Sequence, residues 1–92
     1  MTNQKTIVIS GTTSGIGRAT ALLLAKENHN IITINRPSSR EDEAFFELQA
    51  IGSGEKRRYL VDLSIEADVK KIAASMTSEV EKADVLINNA GV

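Results

Sequence analysis

The sequence predicts an α/β fold built on a parallel sheet, in the order βαβαβαβ with strands arranged 3-2-1-4. Three observations carry this. Short β-branched runs alternate with longer segments of helical periodicity. The strand runs are apolar throughout rather than alternating, as in a sheet covered on both faces. A glycine-rich turn joins the first run to the first helical segment.

Thr6-Ile7-Val8-Ile9-Ser10 is a run of strand formers closed by Gly11. From Ile16 to about Asn28, Ile16, Ala19, Leu23 and Leu24 recur at helical spacing, and Ala21, Leu22 and Ala25 widen the apolar surface toward a sheet. Ile31-Ile32-Thr33-Ile34 forms the second run, and Pro37 blocks its extension. Ser38 precedes Glu41 by three residues, the spacing of a capping box, and opens a helix over about Arg40 to Ile51. Glu55-Lys56-Arg57-Arg58 reads as the solvated end of the loop that follows, without the interleaved aromatics of a nucleic-acid surface. Arg58-Tyr59-Leu60-Val61 is the third strand, with Asp62 at its carboxyl end. Ser64 is placed to cap a third helix carrying Val69, Ile72, Ala73, Met76 and Val80 on one stripe. Val85-Leu86-Ile87 is the fourth strand, followed by Asn88-Asn89-Ala90-Gly91.

Composition narrows the function classes. The 92 residues allow one small domain, 41% hydrophobic and 25% charged. A net charge of −1 offers no field for nucleic acid or an anionic membrane. The absence of cysteine excludes disulfide frameworks and thiol chemistry, and the single histidine, His29, excludes a multi-histidine metal site. No apolar run is long enough to span a bilayer, and no secretory leader precedes the first strand, so a cytoplasmic location is expected.

The chemistry concentrates in Gly11-Thr12-Thr13-Ser14-Gly15-Ile16-Gly17. Gly11 can take a positive φ at the sharp turn, Gly15 removes a side chain where backbone must approach a phosphate, and Gly17 permits close packing. Phosphate would then lie over free N–H groups at the positive end of the helix dipole. A glycine turn without ligand is the plainer reading, but this one occupies the dinucleotide position of a βαβ unit. A Walker P-loop is excluded, because no Gly-Lys-Ser/Thr follows.

The spacing Gly-x-x-x-Gly-x-Gly resembles the glycine motif of the short-chain dehydrogenase/reductase family, with Ser10 where that family commonly has threonine. Asn88-Asn89-Ala90-Gly91 is similar to its second marker, and Asp62-Leu63 to its adenine-contacting pair. The resemblance implies a Rossmann-like fold in which residues 1–92 are the N-terminal part of an NAD(P)-binding domain, truncated after the fourth strand. It implies that Asp62 bonds the adenine amino group and the Leu63 backbone meets the ring. Asn89, Ala90 and Gly91 would line the adenosine ribose, while Asn88 ties the fourth strand to its neighbours. It also implies that the catalytic Ser, Tyr and Lys lie beyond this segment, since the one tyrosine, Tyr59, has Leu63 four residues on and no Tyr-x-x-x-Lys exists.

Cofactor choice is read at the end of the second strand. An acidic residue there would accept from a ribose 2′-hydroxyl. Asn35-Arg36 instead offers a neutral amide and a guanidinium, which suit a 2′-phosphate, with the Thr13 and Ser14 hydroxyls nearby. NADP(H) is expected over NAD(H). The same pair argues against an S-adenosylmethionine site. An open edge on the fourth strand further predicts either a fragment of a longer enzyme or a homo-oligomer paired along that edge. The alternative function is a non-catalytic nucleotide-binding or self-associating module on the same half-fold.

Overall fold

A computed structural model describes residues 3–80 and 82–89. The chain runs β1 (Thr6–Ser10), α1 (Gly15–Lys26), β2 (Asn30–Asn35), α2 (Ser39–Gln49), β3 (Lys56–Leu60), α3 (Glu66–Glu79) and β4 (Val85–Ile87). All strand pairings are parallel and the order is β3-β2-β1-β4, as expected from the alternation of elements.

The uninterrupted apolar strands serve two cores. Ile7, Ile9 and Ile31 pack with Ala21 and Ala25 of α1 and Leu48 of α2 on one face. Val8, Ile32 and Ile34 form the other face, against Tyr59, Val61, Met76 and Val80. Ile9 and Ile31 are fully buried, which is the reason β1 and β2 tolerate no polar alternation at these positions.

Element ends differ from the sequence expectation where side chains outcompete periodicity. Helix α1 stops at Lys26, and Asn28 takes the left-handed conformation (φ 67°) while its N–H reaches the Ala25 carbonyl. Strand β3 begins at Lys56, so Lys56 and Arg57 belong to a strand rather than a loop. The reason is that an edge strand can turn long basic side chains to acidic partners. Arg57 pairs with Glu79 at 3.2 Å and Arg58 with Glu41 and Asp42. The expected cap of α3 is also corrected: Ser64 donates its hydroxyl to Asp62 Oδ1, and Ile65 holds the cap position with no side-chain bond. Glu66 and Asp68 in the first turn favour the helix dipole instead.

Strand β4 is short and is fastened at its entrance by Asp84. The Asp84 N–H donates to the Thr6 carbonyl at 2.8 Å, and the Thr6 N–H donates to Asp84 Oδ2 at 2.9 Å. Among the described residues β4 pairs with β1 alone, and it leaves Val85 and Leu86 exposed, Leu86 by 71%. No helix among the described residues is long and apolar enough to cross a membrane.

The Thr6 N–H, with help from Lys82, holds the Asp84 carboxyl below the usual carboxylate range. A carboxyl whose folded value is lowered contributes stability above its unfolded value and loses it as pH falls toward the folded one. The thermal midpoint of the protein should therefore drop as pH falls below about 5. Asp84→Asn should lower the midpoint at neutral pH and flatten that acid slope, and an unchanged slope in thermal melts would refute the assignment.

Candidate functional site

The carboxyl ends of the strands converge on one open cavity of about 480 Å³. Gly11 and Thr13 of the glycine turn, Arg36 and Ser38 after β2, Asp62 and Leu63 after β3, and Asn88 after β4 all line it. A crevice outside the carboxyl ends of the strands is where open parallel sheets bind ligands.

The glycine turn has the geometry its spacing implies. Gly11 takes φ 70° and donates its N–H to the Ile34 carbonyl at 3.2 Å, which bends the chain off β1 toward β2. Gly15 takes φ 60°, and a Cβ there would meet nothing within 4 Å, so its requirement is conformational. Gly17 answers to packing: a Cβ would lie 1.9 Å from the Gly11 carbonyl oxygen and 2.5 Å from Asn89 Nδ2. Ser14 occupies the cap position of α1 without a side-chain cap bond, and no acidic residue sits in the first turn. The α1 dipole thus opens toward the turn with no carboxylate in that turn to oppose an anion.

Asn35 lines the cavity and is also bonded within the protein. Its Oδ1 accepts the Thr12 N–H at 2.8 Å and its Nδ2 donates to Thr12 Oγ1 at 2.8 Å, both buried. The amide is engaged at both ends in holding the turn against β2, and Arg36 follows it on the cavity. The Arg36 side chain is 77% exposed, with Nε 3.9 Å from Asp62 Oδ1. Asp62 accepts from both the hydroxyl and the N–H of Ser64, and these bonds, with the neighbouring guanidinium, hold its carboxyl below the usual range.

The two asparagines after β4 also act within the protein. Ser10 Oγ donates to Asn88 Oδ1 at 3.1 Å and accepts the Asn89 N–H at 3.1 Å, while Asn89 Nδ2 donates to the Gly11 carbonyl at 3.0 Å. The hydroxyl at position 10 is thereby explained as a bridge from β1 to β4. Asn88 ties β4 to β1 as its resemblance implied and lines the cavity too. Asn89 does not line it, and its N–H is already engaged. Ala90 and Gly91 lie outside the described residues.

Of the remaining expected residues, Thr13 and Leu63 line the cavity, whereas Ser14, Gly15, Ile16 and Gly17 form the start of α1 beside it. Ile16 is 80% exposed there. Sequence reasoning missed the cavity-lining role of Ile34, Ser38, Val61 and Ser64. The signal was their place at the strand exits, where the pocket of such a sheet must form.

Residues 5–92 match the family described as short chain dehydrogenase. The chain belongs to that family. Dehydrogenase/reductase SDR family member 13 of Homo sapiens is 36% identical over 89 residues, which cover 96% of this chain and 24% of that protein. L-sorbose reductase from Gluconobacter frateurii, solved with NADPH and L-sorbose, superposes with a TM-score of 0.83 at 35% identity, over 97% of this chain and 34% of the other. An NAD+-bound xylitol dehydrogenase gives 0.83 at 31% identity, over 96% and 34%. The chain thus spans between a quarter and a third of the length of these short-chain dehydrogenase relatives.

Two glycine substitutions separate the constraints on the turn. Gly17→Ala drives a methyl into backbone and should destabilise the protein by about 3 kcal/mol. Gly15→Ala meets no atom and should cost about 1–2 kcal/mol for the left-handed conformation. Denaturant titration of both variants decides this, and a Gly17→Ala protein as stable as Gly15→Ala would contradict the packing.

Proposed function

We propose that these residues form the adenosine-phosphate half of an NADP(H) site in a short-chain oxidoreductase. Bound there, the nicotinamide dinucleotide would donate a hydride to a carbonyl substrate in its reduced form, or accept one from an alcohol in its oxidised form. Residues 1–92 are the N-terminal part of its Rossmann domain, and none of the 92 is assigned a catalytic role. The Ser, Tyr and Lys of the family's chemistry are expected outside this segment.

The observation that carries the reading is the pairing at the exit of β2. Where an NAD site has a carboxylate for the ribose 2′-hydroxyl, this chain has an amide turned to Thr12. Beside it stands an exposed guanidinium on the cavity. A planar fork of donors suits three phosphate oxygens and gains nothing comparable from a ribose hydroxyl. Thr13 supplies a second donor. The start of α1, with Ser14 to Gly17, receives the pyrophosphate through backbone N–H groups. Val61 and Leu63 offer apolar walls to the adenine, and Asp62 accepts from its amino group. The family resemblance further assigns Asn89, with Ala90 and Gly91 outside the described residues, to the ribose of the cofactor. One relative is solved with NADPH and another with NAD+, and this reading takes Arg36 as the residue that discriminates between them.

Homo-oligomerisation fits the exposed Val85 and Leu86 on β4, the edge available to a second copy of the chain or to a further strand of its own. A cytoplasmic setting fits a chain free of cysteine. No nucleic-acid or membrane partner is proposed.

Arg36→Ala should weaken adenosine 2′,5′-bisphosphate binding by at least about tenfold, given that charge-assisted contacts are worth about 1.5–3 kcal/mol. Adenosine 5′-monophosphate should bind almost unchanged. Titration calorimetry with the two nucleotides reads this directly, and equal losses for both would remove the 2′-phosphate from the reading.

A further inference from the structure

The buried carboxylate of Glu41 is not used by the site described above. It is 1% exposed, in the first turn of α2, with Oε1 2.5 Å from Arg58 Nη1 of β3. Burying a charge is costly unless it is paired. Arg58 is correspondingly well held: Nη1 also reaches Asp42 Oδ1 at 2.9 Å, and its guanidinium lies 5.0 Å from the centre of the Phe45 ring. Three successive features of α2 therefore converge on one side chain of the edge strand.

This cluster is coupled to the cavity through Ser38. The Glu41 N–H donates to Ser38 Oγ at 3.0 Å, and the Asp42 N–H donates to the Ser38 carbonyl at 3.1 Å. Ser38 is thus fixed by the same turn that Arg58 grips. At the other end of the segment, Asn35 is fixed to Thr12. Only Arg36 and Pro37 lie between these anchors, and proline holds its own φ. Arg58 also stands on β3, four residues before Asp62 on the opposite wall. The Val61 N–H donates to the Asn35 carbonyl at 2.9 Å and sets the spacing of the two strand exits, and the grip of Arg58 adds a tie from β3 to the start of α2 behind Ser38.

We infer that the Glu41–Arg58 ion pair is a positioning device for cofactor discrimination, setting the backbone from which Arg36 meets a 2′-phosphate. The inference rests on the NADP(H) reading and names residues that touch no part of the ligand. A lysine at position 58 keeps the charge but is shorter than arginine and loses the guanidinium plane that lies against Phe45. An apolar pair at 41 and 58 removes the buried carboxylate together with its partner charge and leaves a packed helix–strand contact.

The test is the ratio of affinities for adenosine 2′,5′-bisphosphate and adenosine 5′-monophosphate in the full-length protein, measured for wild type, Arg58→Lys and the double variant Glu41→Met/Arg58→Leu. The ratio should fall about tenfold in the double variant and by less in Arg58→Lys, because a misplaced contact loses binding steeply with distance. The monophosphate affinity should stay within about twofold, since it does not depend on Arg36. A double variant that melts cooperatively and keeps the wild-type ratio overturns the inference, leaving the pair structural. Equal affinity of the wild-type protein for the two nucleotides overturns the NADP(H) reading itself, which separates the two failures. If the double variant does not fold, Arg58→Lys decides alone: a wild-type ratio refutes the inference and a lowered ratio supports it.

Discussion

The carboxyl end of β1 is the point on which the rest of the site depends. Within three residues it sends a hydroxyl to Asn88, a carbonyl to Asn89 and an N–H to Ile34, and it receives both arms of the Asn35 amide at Thr12. Each loop that borders the cavity from β2 or β4 is thereby referred to the same short stretch of backbone. Central placement in the sheet is what makes this arrangement available. A strand with parallel neighbours on both sides can bond at its exit to either, whereas an edge strand reaches one.

The charges around the cavity are sorted by burial. The buried Glu41 stands behind the wall with a half-buried Arg58 as its partner, while Arg36 and Asp62 face the opening with weaker mutual contact. Exposed pairs of the second kind contribute little to stability because water screens them. Their value is availability, since a guanidinium held at 3.9 Å from a screened carboxylate gives up little to take a phosphate. The Ser64 bonds do more than Arg36 to hold the Asp62 carboxyl below its usual range.

The fold was legible in the sequence because its information is one-dimensional: Ile7-Val8-Ile9 and Ile31-Ile32 can be buried on both faces only in a covered sheet, and the order of elements then leaves few topologies. The positive φ at Gly11 and the close approach at Gly17 were legible for the same reason, as spacing alone places them at a strand–helix turn. What could not be read were exchanges of hydrogen-bond partner. Asn35 stands where a ligand group would, and nothing in the sequence says that Thr12 takes both ends of its amide. Ser64 lies at cap spacing, yet its hydroxyl turns back to donate to the Asp62 carboxylate, two residues away, and Ile65 takes the cap position. The basic run before Tyr59 became strand because its partners, Glu41, Asp42 and Glu79, come from distant segments.

The reach of the β1 to β4 connection has a kinetic side. The bond from Ser10 to Asn88 spans 78 residues, whereas the β1–β2 contacts span 24. Closing the longer loop costs about 1 kcal/mol more in chain entropy, and the ladder that rewards it is three residues long. Docking of β4 is thus the most expensive pairing per bond formed, the last to be secured during folding and the first to open by fluctuation. Since Asn88 and Asn89 leave with β4, the glycine turn loses two of its moorings in every such opening. A nucleotide that holds the turn closed would act as a kinetic latch on a strand it scarcely touches.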